Sequence, residues 1–184
     1  MNQMILLTIQ EIESDNSRLF KEAVLRREAE AGNDELFLGL RTCYDPMITF
    51  GIKKVPESTT SGPGLAWDEF RDVAHELAQR DLTGDAARDA VDQLIAQATK
   101  EEWNGWYRRI LIKDMRAGFS EKTINTVVKK INDSYIIPLF ECQLAHDSAN
   151  HEEKVCGEKL VEVKLDGVRV LSIVYPNGRV DQYS

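Results

Sequence analysis

Apolar residues recur at three- and four-residue steps from the start of the chain: Ile5, Ile9 and Ile12, then Leu19, Phe20, Ala23 and Val24. That period lays one apolar stripe along a helix, so residues 4–31 are expected to be helical. Asn33 or Asp34 can cap a following helix over "ELFLGLRTCYD". "KKVPESTTSGPG" (53–64) reads as a loop by its Pro, Gly, Ser and Thr content. Further helices are expected over "LAWDEFRDVAHELAQRDL" and "GDAARDAVDQLIAQATKEEWNGWYRRILIKDMRAG", with Thr83-Gly84-Asp85 as the break between them. Gly118 is expected to end the second of these, and Ser120 to cap the next, "EKTINTVVKKIN".

The pattern changes after Asn132. Pro138 and the irregular "AHDSANHEEKVCGEK" mark a boundary region. From Leu160, Val161, Val163 and Leu165 alternate with Glu162, Lys164 and Asp166, the period of a strand. "VRVLSIVY" and "RVDQYS" give two more strands around Pro176-Asn177-Gly178, a hairpin turn. The expected class is α+β: an all-helical domain over 1–134, then the first strands of a second domain over 135–184. Three strands bury little core by themselves.

Composition narrows the function classes. With 42% hydrophobic and 29% charged residues, the 184-residue chain can form a true core. No apolar run approaches the ~20 residues of a membrane span, and no basic leader with a cleavage site opens the chain. Cys43, Cys142 and Cys156 are odd in number and widely spaced, which argues against a disulfide framework and a zinc site and for a reducing cytosol. His75, His146 and His151 lack metal-ligand spacing, so no metal site is expected from them.

The net charge of −8 disfavours a nucleic-acid binder only if the charge is evenly spread. It is not. Residues 105–134 carry seven cations (Arg108, Arg109, Lys113, Arg116, Lys122, Lys129, Lys130) against three anions (Asp114, Glu121, Asp133). Arg109, Lys113 and Arg116, at four- and three-residue steps, would share one helix face. Gly118 would end that helix and Ser120 cap the next, whose first N–H groups, at Glu121, Lys122 and Thr123, suit a phosphate; Gly118, Ser120 and Lys122 join the three cations as candidate DNA contacts. A solvated amphipathic helix pair accounts for the same charges. Lys21 and Arg26 lie outside the basic segment and are expected to matter much less. Trp103, Trp106 and Tyr107 fit a core better than a base-stacking platform.

One hexamer carries candidate chemistry: Lys164, Asp166, Gly167 and Arg169 form K-x-D-G-x-R within a strand-like run. A tight turn at Asp-Gly, with both cations solvated beside it, explains the pattern. So does a nucleophilic lysine, whose amine must be neutral and whose pKa must therefore fall from ~10.4. Gly167 would then admit a ligand close to the backbone, while Asp166 and Arg169 would orient it.

The hexamer resembles the nucleotidyl-lysine signature of ATP-dependent DNA ligases, RNA ligases and capping enzymes. That resemblance implies that Lys164 attacks the α-phosphate of ATP and holds AMP, that Arg169 meets the ribose, and that Glu162 meets the adenine amino group. "ECQLAHD" (141–147) is similar to the opening of ligase adenylation domains. "RRILIKDMRAGFS" (108–120) resembles the R-x-L-x-K-D-L-R-x-G pattern of the ligases' helical DNA-binding domain. "LTGDAARDAVDQL" (82–94) and "ITFGIKKVP" (48–56) resemble phage-type ligase segments in the same order. The family therefore implies a nucleotidyltransferase (adenylation, ATP-grasp-like) second domain, ATP and Mg²⁺ as cofactors, nicked duplex DNA as partner, a monomer, and the cytosol of a phage-infected or bacterial cell. Fifteen residues follow Arg169, too few for the remaining ligase elements, so an N-terminal portion, inactive alone, is expected. Two alternatives stand beside it: a non-catalytic DNA-binding module derived from a ligase, and an acidic helical interaction protein.

Overall fold

The computed structural model describes residues 2–139, 148–150, 152–160, 163, 167–168 and 170–183. The chain forms two compact units, Met1–Leu139 and Phe140–Ser184. In the first, the helix expected over 4–31 is two helices, α1 (Asn2–Glu13) and α2 (Arg18–Glu30). Local side-chain bonds break it: Asp15 Oδ1 accepts from Ser17 N at 2.7 Å, and Ser17 Oγ accepts from Phe20 N at 3.4 Å. Such short polar side chains offer the backbone an alternative to the helical ladder. Asn33 caps α3 (Asp34–Tyr44), its Oδ1 accepting from Leu36 N at 3.3 Å. α4 (Trp67–Gln79) and α5 (Gly84–Gln97) follow, with the expected break at Thr83.

The helix expected to run to Gly118 stops twice. α5 ends at Gln97, and Thr99 with Glu102 forms a capping box that starts a new helix. This helix, α6 (residues 100–111), comprises an α turn Lys100–Glu102, a π-helical stretch Trp103–Tyr107 and an α turn Arg108–Leu111. Across the π stretch the N–H of Arg108 reaches back five residues to Trp103 O. α6 then ends at Leu111, because Lys113 takes φ +60. Its N–H meets Ile110 O and that of Asp114 meets Arg109 O, at 3.0 and 3.1 Å, the pair of bonds that closes a Schellman motif. α7 (Glu121–Val128) and a 3₁₀ turn (Asp133–Tyr135) complete the helices of this unit.

α6 lies in the core. Trp103, Trp106, Tyr107 and Ile110 are all buried, as are Ile5, Ile9 and Ile12 of α1. α3 crosses α6 at Gly39, where a Cβ would lie 2.2 Å from Trp106 Cζ2. The other side of α6 grips the loop before α4. Trp103 Nε1 donates to Pro56 O (2.9 Å), Arg108 Nε to Val55 O (3.0 Å), and Tyr107 Oη to Leu65 O (2.8 Å). Asn104 exchanges two 2.9 Å bonds with the Ser58 backbone. Tyr135 stacks on Phe37 with centroids 4.4 Å apart, and Asn125 pairs both ways with the Ile137 backbone at 2.8 Å. These contacts bind the segment after Asn132 to the helices.

In the second unit, a 3₁₀ turn (Ser148–Asn150) and a short helix α8 (Glu152–Val155) precede an antiparallel hairpin of β1 (Leu171–Val174) and β2 (Val180–Tyr183). Leu171 pairs with Tyr183 and Val174 with Val180. The turn falls on Pro176-Asn177-Gly178, as its residues predict. Gly178 N donates to Tyr175 O (2.9 Å), Gly178 takes φ +83, and Tyr175 N donates to Arg179 O (2.8 Å). The strand expected from Leu160 lies largely outside the described residues. The described molecule is thus mostly helical with a small antiparallel sheet, consistent with the α+β class. No described helix is long and apolar enough to cross a membrane.

Gly39→Ala tests the crossing of α3 and α6. On an exposed helix this change gains up to ~1 kcal/mol. Here the added methyl meets a buried indole, and a loss of about 1–3 kcal/mol is expected. Urea denaturation reads this as a lower midpoint; an unchanged midpoint would show that α3 can shift away from Trp106.

Candidate nucleic-acid interface

The expected cationic face does not form, because α6 ends before Lys113 and Arg116. Arg109 points inward instead. Its Nε donates to Asn104 O (3.2 Å) and its Nη1 to Met115 O (3.0 Å), and it pairs with Glu13 of α1. Lys113 is also turned in. Its Nζ donates to Thr42 O (3.0 Å) and Asp45 O (2.7 Å), at the C-terminal end of α3, and lies 5.9 Å from the Phe50 ring centroid. The left-handed backbone costs an L-residue ~1–2 kcal/mol. The two hydrogen bonds to these carbonyls hold Lys113 in that conformation. Arg109 and Lys113 thus position the loop that follows them and do not face outward.

The loop presents Arg116, Gly118 and Ser120 to a cleft of about 590 Å³. Arg116 is exposed; its N–H donates to Asp114 Oδ1 at 2.9 Å, its Nε lies 3.9 Å from Asp114 Oδ2, and Asp114 also lines the cleft. Ser120 and Thr123 line the cleft at the start of α7, and Ser120 makes no side-chain capping bond. Lys122 is exposed in the first turn of the same helix. The opposite wall comes from α2 and the turn before it: Asn16, Arg18 and Lys21. Arg18, itself exposed, pairs with Glu22 at 2.6 Å.

Lys21, which lies outside the basic segment in sequence, lines this cleft. It is buried, and its Nζ donates to Ala117 O at 2.5 Å. The ammonium lies against Gly118, 2.8 Å from where a Cβ would stand, and Gly118 takes φ +67. Glycine is needed there both for the backbone angle and for the approach of the lysine. The signal was present in the sequence: Lys21 falls on the apolar stripe of α2, four residues before buried Leu25 and eight before Ala29. Arg26 is exposed on α2 and does not line the cleft.

Behind the cleft, Tyr44 Oη donates to Phe119 O at 3.1 Å, and burial pushes the phenol above its ordinary range. Burial likewise pushes the Cys43 thiol up to about 12, which keeps it unreactive. Acidity is gathered elsewhere on the same unit: a cleft of about 690 Å³ is lined by Asp34, Glu35, Asp68 and Glu102, where burial raises the Glu35 carboxyl. Of the second candidate site, Gly167 is exposed, with open space where a Cβ would stand. Glu162, Lys164, Asp166 and Arg169 lie outside the described residues.

Burial lowers the Lys113 ammonium from 10.5 to about 8, against the opposing pull of Cys43 and Asp45. Between about pH 8 and 10.5 the unfolded chain therefore binds a proton that the folded chain does not, so this group's contribution to stability rises with pH. The stability of the wild type relative to Lys113→Met should accordingly grow between pH 7 and 9.5 in urea titrations. A constant difference would show that the ammonium is not desolvated.

Two solved structures resemble the chain over nearly its whole length. The protein named Pmar-Lig_PreS3 is 51% identical over 98% of this chain, with a TM-score of 0.78. The protein named Pmar-Lig_Pre. is 50% identical over 98%, also with a TM-score of 0.78. The chain spans 41% of the length of either. No family model matches the chain, and no curated protein does. By these two neighbours the chain is similar to ligase-related proteins.

Proposed function

We propose that this chain belongs to an ATP-dependent DNA ligase of the phage type, its helical unit gripping nicked duplex DNA and Lys164 carrying the adenylate. The observation that carries this reading is a coincidence in one chain. A cleft of Arg18, Lys21 and Arg116 opens at the start of α7, and the same chain holds K-x-D-G-x-R at 164–169. The likeness to ligase-related structures supports it.

A backbone phosphate fits the cleft chemically: Arg18 and Arg116, with buried Lys21 behind them and Asp114 beside Arg116, face the start of α7, the positive end of a helix. Contacts to phosphate do not read base sequence, which suits a protein that must act at any nick. In the second unit the neutral Lys164 amine would attack the α-phosphorus of ATP. A P–N bond forms, the bond to pyrophosphate breaks, and the lysine proton is lost to solvent or base. Glu162 and Arg169 would hold adenine and ribose, with Asp166 and Gly167 shaping the approach. Mg²⁺ is expected with the nucleotide, since it favours phosphate oxygens and water over an all-protein cage.

Fluorescence anisotropy with nicked duplex at several salt concentrations tests the helical unit. Binding should weaken steeply as salt rises. Arg116→Glu should weaken it across all sequences and lower the salt slope by about one unit, whereas Arg26→Glu should do neither. Equal effects of the two reversals would reduce the cleft to solvated surface. In a protein of the neighbours' length, Lys164→Ala and Lys164→Arg should both abolish the labelled lysine–AMP band formed with ATP, because arginine stays charged. A band surviving in either variant would remove Lys164 as nucleophile; DNA binding without any band in the wild type would favour a binding module.

A further inference from the structure

A stripe of α4, made of Trp67, Phe70, Ala74 and Ala78, lines an apolar pocket of about 170 Å³ together with Ile48 and Phe50. Arg71, His75 and Gln79, at four-residue steps on the same helix, are exposed, so the pocket's polar rim reaches solvent. An apolar cavity of ~150 Å³ takes a benzene ring, so this one has room for one phenylalanine or leucine side chain.

Trp67 and Arg71 also line the acidic cleft of about 690 Å³, so the two cavities adjoin along α4. Three of the four carboxylates in that cleft are engaged. Asp34 accepts from Tyr135, Asp68 pairs with Arg71 at 2.9 Å, and Glu102 accepts from the N–H groups of Leu65 and Thr99. Asp72 also pairs with Arg71, at 3.3 Å, so two carboxylates of its own helix balance the cleft's cation. Glu35 differs. Its Oε1 is buried with no hydrogen-bond partner among the described residues, and burial raises the carboxyl. A carboxylate taken out of water without a partner is costly, and a cation entering the cleft would supply the missing contact. The half-buried Trp67 offers its ring to the same cation.

The α4 residues of the two cavities centre near Asp68 and near Val73, about five residues and 8 Å apart along the helix. An extended chain covers that distance in two to three residues at ~3.3 Å each. We infer that α4 docks an extended segment of a partner protein in which a lysine or arginine stands two or three residues from a phenylalanine or leucine. The cation pairs with Glu35 beside Trp67, and the apolar side chain fills the pocket beside Phe70 and Ala78. Such an anchor in a pocket, with a charge pair at its edge, is how small interfaces concentrate their affinity. An acidic cleft repels a polyanion, so this face does not suit nucleic acid. The site is independent of the DNA contacts and the adenylate chemistry proposed above.

End-capped synthetic hexapeptides added to the ¹⁵N-labelled 184-residue chain test this by NMR. The probes are Gly-Lys-Lys-Gly-Phe-Gly and its reverse, Gly-Phe-Gly-Lys-Lys-Gly, because either chain direction fits the groove. At least one should shift the Trp67 indole N–H signal saturably, while that of Trp103, bonded to Pro56, stays in place. Replacing both lysines by glutamate, or the phenylalanine by serine, should weaken binding at least fivefold. Glu35→Gln should reduce the preference for lysine over glutamate. Ala78→Leu, which fills the pocket, should remove the preference for phenylalanine over serine. Asp92→Asn, an exposed acid of α5 that lines neither cavity, should change neither preference. Thermal melts confirm folding; if one variant does not fold, the other variant and the peptide changes decide. The site is overturned if no probe moves Trp67, if all peptides bind alike, or if either folded variant behaves as Asp92→Asn. It is overturned likewise if the Trp67 signal moves with protein concentration alone, which makes a second copy the occupant. Loss of the response in a protein of the neighbours' length also overturns it, since the remainder of the longer chain then covers the groove.

Discussion

The helical unit turns on one buried ammonium. Lys113 gives up solvent to donate to two carbonyls at the end of α3, and it takes a backbone angle that glycine would occupy more cheaply. Removing it would free the loop that carries Arg116 and Gly118 from the Thr42 and Asp45 carbonyls that anchor it. An apolar side chain of similar length could fill the space but could not hold both carbonyls. This explains why a cation stands where the surroundings disfavour its charge.

Around that point the fold gathers a sequence-distant set of groups into clefts of differing charge, the first mostly cationic although Asp114 lines it, the other mostly acidic although Arg71 lines it. Arg18 and Lys21 come from α2, Arg116 and Gly118 from the loop before α7, and the acidic groups Asp34, Glu35 and Asp68 gather in a different cleft. Exposed charges act over about a Debye length, ~8 Å at physiological salt, so a polyanion meets the local patch and not the net −8. The same economy appears in the loop over 53–65, which α6 holds through Trp103, Asn104, Tyr107 and Arg108. Its backbone is held by hydrogen bonds, leaving Lys53 and Lys54 free to face outward.

Much of the fold was legible from local chemistry. The stripe Ile5, Ile9, Ile12, the Asn33 cap, the 53–64 loop and the Pro176–Gly178 turn all stand where their residues placed them. What failed was non-local. Arg109, Lys113 and Arg116 have helical spacing, and nothing in the residue types announces a left-handed angle at Lys113; only the α3 carbonyls, some seventy residues away in sequence, make it favourable. Lys21 was set aside by distance from the basic segment, although its position on an apolar stripe marked it as buried. The chemistry assigned to Lys164 was read from a motif and a family likeness, and Lys164 lies outside the described residues with Glu162, Asp166 and Arg169.

The π stretch in α6 has one consequence of a different kind. Trp103, Trp106, Tyr107 and Ile110 recur at spacings an ordinary α-helix would also show, so the wider turn is invisible in the pattern. The wide turn holds one residue more than an α turn would, because the N–H of Arg108 reaches five residues back. Losing one residue there would close an ordinary α turn and leave the helix on either side facing much as before, so Arg108 and Arg109 would keep their approach to Val55 and Glu13. A regular α turn has no such slack, and losing a residue from one would rotate one side by roughly 100° relative to the other. Along α6, natural variation in length should therefore be confined to this stretch.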